Sequence, residues 1–182
     1  MLSFGTDRVW VDRVFDCCDV IALDRLYDTC EPEYVKQLHN LFHVEFRRPS
    51  SSDAKYFYDK LESHAKRKVR NFYFLEYSTG SWARKHADDS KQSGLTAITM
   101  LYRSNDLVGG DTVVYLPYED MPEKHENSTN RGLKVTTGQE IVPSMVTLSV
   151  GETAFYTTQV AHEVTLVHNG IRRVLVTWFQ PE

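Results

Sequence analysis

From residue 71 onward the chain consists almost wholly of short runs rich in β-branched and aromatic residues, and this limits the fold more than any other feature. The runs are "NFYFLEY", "LTAITMLYR", "DTVVYLP", "MVTLSV", "TAFYTT", "HEVTLVH" and "RRVLVTWF". Turn material separates them: Ser-Thr-Gly, Ser-Asn-Asp, Gly-Gly, Val-Gly-Glu and Asn-Gly. Several short strands with regular turns predict an antiparallel sandwich or barrel, with a jelly roll (double-stranded β-helix) as the leading form. The polar stretch 118–141 is expected to be a loop excursion able to cover a site.

Residues 1–70 read as mainly helical support packed against the β region. "EPEYVKQLHNLFHVEF" (31–46) sets Tyr34, Leu38, Leu41 and Phe42 at spacings of three and four, the signature of one helix face. "PSSSD" breaks the chain, with Ser52 or Asp53 as N-cap of a second helix over 54–70. With 182 residues, the expectation is a single domain over 1–182, its jelly-roll core at 71–182.

A net charge of -4 argues against coating nucleic acid by bulk charge. The basic run "AKRKVR" (65–70) reads as a solvated helix face or end. The three cysteines (Cys17, Cys18 and Cys30) are odd in number and lie near the N-terminus, so a disulfide framework is not expected. A reducing, cytoplasmic setting is. The opening "MLSFGTDRVWVDRVFDCC" carries charges throughout, unlike a signal peptide, and no apolar run is long enough for a membrane span.

With seven histidines and 25 acidic residues, about one His-x-acid pair is expected by chance. There are two, "HVE" at 43–45 and "HAD" at 86–88. His43 and Glu45 sit in the helical pattern, where residues i and i+2 point roughly 200° apart. His86 and Asp88 adjoin strand-like sequence, where i and i+2 share a face and can converge on one ion; the alternative is a surface turn with solvated charge. Alternation also favours Asp88 over Asp89. Candidates for a third ligand are His125 in a polar loop, His162 at the head of a late strand, and His168 at that strand's far end. Two histidines and one carboxylate with open positions form the set used by non-haem Fe(II) oxygenases.

Over residues 72–180 the sequence resembles the Fe(II)- and 2-oxoglutarate-dependent dioxygenases, in particular their prolyl 4-hydroxylase-like branch. Three ordered pieces carry the resemblance: "LEYSTGSWARKHADD", "LTAITMLYRSNDLVGGDTVVY" and "VGETAFYTTQVAHEVTLVHNGIRRVLVTWF". The resemblance implies that His86, Asp88 and His162 bind iron. It implies that Arg172, ten residues after His162, grips the far carboxylate of 2-oxoglutarate, a task suited to a planar guanidinium. Arg173 is the competitor, but on a strand the two point to opposite faces. Tyr102 stands where related enzymes place a hydroxyl on the same carboxylate, and Tyr77 where they place a pocket-lining aromatic. Val164 shares the parity of His162 and is expected near the cosubstrate, equally as an ordinary core valine. Trp178 and Phe179 are expected in the core. Two positions differ from many prolyl hydroxylases: Arg172 replaces a lysine, and Ala83 an aromatic.

The implied activity is oxidative decarboxylation of 2-oxoglutarate with dioxygen, giving succinate and carbon dioxide and hydroxylating a substrate C–H, with ascorbate as an accessory reductant. By resemblance the substrate is a prolyl residue of a protein or peptide; nucleic acid and small molecules such as a free amino acid are the alternatives. The segments expected to read substrate are "RRPSSSD" (47–53) and 118–141. Two further classes stay open: a non-enzymatic jelly-roll binding module, which has no need of all four of His86, Asp88, His162 and Arg172, and a cupin-like metalloenzyme that does without 2-oxoglutarate.

Overall fold

The computed structural model describes residues 2–4, 9–88, 94–117, 133–134 and 140–181. In chain order these form β1 (Leu2–Phe4), β2 (Val9–Asp12), α1 (Cys17–Thr29), β3 (Glu33–Leu38), β4 (Leu41–Arg47), α2 (Lys55–Ala65) and β5 (Val69–His86). There follow β6 (Leu95–Arg103), β7 (Val108–Gly109), β8 (Thr112–Pro117), β9 (Leu133–Lys134), β10 (Glu140–Val146), β11 (Thr153–Thr157), β12 (Ala161–Val164), β13 (Val167–Asn169) and β14 (Ile171–Phe179). Twelve strands make one antiparallel sheet in the order β1-β2-β11-β6-β14-β5-β12-β8-β10-β9, with β4 joined to β5 and β3 to β4; β7 and β13 form a separate ribbon. The sheet curls into a half-barrel of the jelly-roll type, with two helices. No described helix is long and apolar enough to cross a membrane.

The central strands are buried on both faces, which is why "LTAITMLYR" and "RRVLVTWF" read as near-continuous apolar runs. Alternation sorts their side chains. Phe72, Phe74, Leu95, Ala97, Leu175 and Phe179 pack outward against Leu23 and Tyr27 of α1 and Phe57 and Leu61 of α2. Tyr77, Leu75, Ile98, Met100, Val174 and Val176 face the hollow of the half-barrel. Leu23 and Leu61 are wholly buried, so truncating either to Ala removes about 2–5 kcal/mol.

The expected helix over 31–46 is a β-hairpin: β3 pairs with β4 from Glu33↔Phe46 to Leu38↔Leu41. The spacing of Tyr34, Leu38, Leu41 and Phe42 was coincidental. His39 and Asn40 make the turn, with His39 in the left-handed region (φ 52), and the apolar face docks on β5 through Val44, which is fully buried. The first 70 residues are therefore two helices and four strands rather than mainly helix. α2 starts at Lys55 behind Ala54, with no side-chain cap. Ser50 and Asp53 instead bond each other in the preceding turn, Ser50 Oγ donating to Asp53 Oδ2 at 2.6 Å. The helix stops at Ala65 because Lys66 is left-handed (φ 56).

The Ser-Thr-Gly at 78–80, expected as a turn between strands, lies within β5. Gly80 adopts φ 89 there. Ser81 Oγ accepts from Ser78 N–H at 3.0 Å and donates to the His43 carbonyl at 2.5 Å, so the strand bends but continues. This continuity carries the chain to His86. The 118–141 excursion and His125 fall outside the described residues, apart from the short strands at Leu133–Lys134 and from Glu140.

Candidate metal and anion site

β5 and β12 run antiparallel with His86 and His162 directly paired, the last residue of one strand against the second of the other. Asp88 lies two residues beyond His86. The ligand atoms of the three residues lie within 4.8 Å of one another. Asp88 Oδ1 is 3.5 Å from His86 Nε2 and 3.7 Å from His162 Nε2. Two metal–ligand bonds of about 2.0–2.2 Å laid end to end exceed either separation, so an ion bound to Asp88 can reach either histidine, and the cluster is tight enough to hold a metal ion.

Each ligand is held from behind. His86 Nδ1 lies 2.6 Å from the Arg84 carbonyl, and His162 Nδ1 lies 3.0 Å from the Val160 carbonyl. A carbonyl only accepts, so each ring, when neutral, carries its proton on Nδ1 and offers Nε2 to an ion. Thr96 Oγ1 donates to Asp88 Oδ2 at 2.5 Å, leaving Oδ1 for an ion. Burial pushes the His162 pKa down, which keeps its ligand lone pair available. At Asp88, burial raises the pKa, but the His86 hydrogen bond, the His162 charge and Thr96 outweigh it and hold the carboxyl below its ordinary value. At His86, burial lowers the pKa while Asp88 and the Arg84 carbonyl more than reverse it. Tyr156 packs on His162 with ring centroids 4.7 Å apart.

The triad opens into a cavity of about 480 Å³. Arg172 lines it and is only 2% exposed. Its Nη1 donates to the Gly110 carbonyl and its Nη2 to Thr112 Oγ1 at 2.6 Å. Gly109 and Gly110 both adopt positive φ. A Cβ on Gly109 would lie 2.1 Å from the Leu166 carbonyl, so only glycine lets the chain run here and present that acceptor. Among the described residues no carboxylate pairs with Arg172, and burial lowers its pKa. Its Nε and the Tyr156 hydroxyl are buried without a hydrogen-bond partner. A buried cation with free donors fits an anionic ligand that brings acceptors into the cavity.

Arg173 points the other way, pairing with Glu76 at 2.7 Å and lying over the Tyr27 ring at 3.6 Å. Tyr77 is opposite Arg172 in register, buried, with its ring 5.8 Å from the guanidinium. Val164 also lines the cavity. Tyr102 does not reach it: the hydroxyl expected on the anion is on a residue 43% exposed, whose ring lies 5.7 Å from the guanidinium of Arg173. The cause is a bulge. Arg173 pairs with Tyr102 but Val174 with Met100, so Leu101 is extra and parity flips. Trp178, expected in the core, lines the cavity, whereas Phe179 is core. His168 is exposed on β13. His43 is on a strand, not a helix, and φ 55 breaks alternation there; it bonds Tyr34, while Glu45 is taken by Tyr27 and Arg47. Sequence reasoning missed Thr96, Thr112 and Tyr156. Alternation along "LTAITM" groups Thr96 with Ile98 and Met100, but only the fold sets Thr96 against Asp88.

No protein-family model matches the sequence, and no curated protein matches it. Solved structures do. HygX from Streptomyces hygroscopicus, with nickel, 2-oxoglutarate and hygromycin B bound, superposes with a TM-score of 0.68 at 14% identity, covering 98% of this chain and 84% of that one. A Pseudomonas putida prolyl-4-hydroxylase gives 0.60 at 14%, covering 98% and 95%. A Trichoplax adhaerens prolyl hydroxylase in complex with a hypoxia-inducible-factor peptide gives 0.62 at 11%, covering 97% and 85%. The fold is that of the Fe(II)- and 2-oxoglutarate-dependent oxygenases, prolyl hydroxylases among them.

Proposed function

We propose that this protein is an Fe(II)- and 2-oxoglutarate-dependent oxygenase that hydroxylates a C–H bond, with a prolyl residue of a protein or peptide as its substrate. The observation that carries the reading is the pairing, in one cavity, of a two-histidine, one-carboxylate cluster with a buried arginine that has no carboxylate partner among the described residues. Neither a binding module nor a cupin-like enzyme without the cosubstrate needs both.

His86, Asp88 and His162 are the metal ligands in this reading, and their donor set suits Fe(II). When bound, iron with 2-oxoglutarate and dioxygen supplies the oxidising chemistry, in which the cosubstrate becomes succinate and carbon dioxide and one oxygen atom enters the substrate C–H. The protein's part is placement. The carbonyls of Arg84 and Val160 fix both imidazole tautomers, and Thr96 aims Asp88. Arg172 and Tyr77 form the anion end of the cavity, where Arg172 holds the far carboxylate of 2-oxoglutarate. Val164, Val174 and Ile98 exclude water, which strengthens each polar contact. Prolyl hydroxylases among the structural neighbours support the peptide substrate, while HygX, with hygromycin B bound, supports a small molecule as the competing outcome. The free thiols of Cys17, Cys18 and Cys30 suit the reducing cytoplasm.

The test is succinate formation from 2-oxoglutarate with Fe(II), ascorbate and air, alongside 2-oxoglutarate binding to the anaerobic iron form. His86→Ala is expected to lose iron and Arg172→Ala to lose cosubstrate affinity. No iron binding, and no 2-oxoglutarate binding at millimolar concentration, would refute the assignment.

A further inference from the structure

The cavity has a second pole. β5 and β14 share one wall, with Tyr77 opposite Arg172 at one end and Asn71 opposite Trp178 at the other. Six residue steps along the strand separate the two pairs, about 20 Å. Thr96, which bonds Asp88, is the register partner of Trp178 on the neighbouring strand, so the Asp88 carboxylate sits at the Trp178 level. Asp88 therefore lies at the end of the cavity away from Arg172, and Arg48, Asn71 and Trp178 line the cavity too.

That second end presents unused hydrogen-bond donors. Among the described residues the buried Trp178 indole N–H has no partner, and an indole N–H can only donate. Among the described residues Arg48 makes no ion pair or hydrogen bond, and neither does the Asn71 carboxamide. Arg48 is fixed by a ladder of rings instead. Its guanidinium lies 5.4 Å from the Phe46 ring, Phe46 stacks on Tyr73 at 5.0 Å, and Tyr73 meets Trp178 edge-on at 6.2 Å. A guanidinium, an indole N–H and a carboxamide lining one cavity offer donors to an acceptor, and the positive charge of Arg48 favours an anion.

We propose that this end is the substrate subsite, and that Arg48, Asn71 and Trp178 select a substrate bearing a carboxylate close to its reacting C–H. The proposal rests on the oxygenase reading and specifies the substrate class for the same cavity. The carboxylate has two sources: the free α-carboxylate of an amino acid or chain end, or an acidic side chain within a peptide.

The experiment reads the indole N–H of Trp178 by ¹⁵N NMR in the full chain loaded with diamagnetic Zn(II) and 2-oxoglutarate, the signal being assigned with Trp178→Phe. One arm titrates N-acetyl-proline, N-acetyl-leucine and N-acetyl-arginine, each against its amide. The other arm titrates acetyl-Pro-Asp-amide against acetyl-Pro-Asn-amide. In at least one arm the carboxylate probe is expected to shift the Trp178 signal saturably, with affinity about ten-fold or more above its neutral partner. Arg48→Gln, a change at an exposed side chain, is expected to abolish that preference. The arm that responds identifies the source. Equal affinity for carboxylate and amide throughout, or a preference that survives Arg48→Gln, would overturn the proposal. Preference for proline over leucine tests the prolyl substrate separately, and loss of 2-oxoglutarate binding by the wild-type Zn(II) form would strike at the oxygenase reading instead.

Discussion

Replacing Arg172 with Met separates function from stability: cosubstrate binding should collapse while the fold's stability holds. The side chain is 2% exposed and its charge has no carboxylate partner among the described residues. Burying such a cation costs several kcal/mol, which an apolar side chain of similar length avoids. Against that relief, Gly110 O and Thr112 Oγ1 lose their donors, at about 1–3 kcal/mol together. The metal-free variant should therefore melt at or a few degrees above the wild type, since ~1 kcal/mol moves a chain of this size by about 2–4 °C. Cosubstrate binding should collapse. A bidentate, charge-assisted grip on a carboxylate contributes about 3–6 kcal/mol, so affinity for 2-oxoglutarate should fall by about a hundred- to ten-thousand-fold. Thermal denaturation of the apo protein and calorimetric titration of the Zn(II)-loaded protein measure the two quantities. A variant that binds 2-oxoglutarate within about three-fold of the wild type refutes the assignment of Arg172. One that loses more than ~3 kcal/mol of apo stability refutes the reasoning about an uncompensated charge.

Thr96→Val removes the hydroxyl that orients Asp88 without touching a ligand, and should weaken Zn(II) binding about 10–100-fold; competition with a chelator measures this, and unchanged affinity would show that Asp88 needs no such support. Asp19, buried between Lys60 and Tyr56, has a pKa that burial raises but the Lys60 contact and the Asp16 and Tyr56 hydrogen bonds lower overall. A depressed carboxyl adds stability above its unfolded pKa and loses it as pH falls through the folded value. Asp19→Asn should therefore destabilise the protein at pH 7 by about 1–3 kcal/mol, with the difference shrinking below about pH 4. Denaturant melts at both pH values test this, and a gap that persists at low pH would contradict it.

Several strands and most of the cavity's chemistry could be read from the chain. "LTAITMLYR" is β6 over the same residues, and "HAD" does bring His86 and Asp88 together, though β5 ends at His86 and Asp88 lies in the bend beyond it rather than in extended strand. Where the sequence misled, a local signal was degenerate. The three-and-four spacing in 31–46 fits a helix as well as a hairpin docked on one face, and only contact with β5 decides between them. Ser-Thr-Gly at 78–80 fits a turn as well as a bend inside a strand; the hydrogen bond from Ser81 to the distant His43 carbonyl settles it. Tyr102 was lost to one extra residue in β6, because a bulge is a property of the pair of strands and a single strand carries no mark of it.

The sequence by itself determined the residue types, the period-two alternation and the order of the pieces, since these depend only on neighbours along the chain. The tertiary structure supplied the physical reason that His162, the histidine the resemblance had singled out, completes the cluster: it pairs with His86 across β12 and β5. It also decided that Arg172 is buried without a carboxylate, that Thr96 stands behind Asp88, and that Arg48 and Trp178 share the far end of the cavity. Apart from Thr96 and Asp88, eight positions apart, these contacts join residues far apart in sequence, and the register and curvature of a curled sheet are set by all of its strands together.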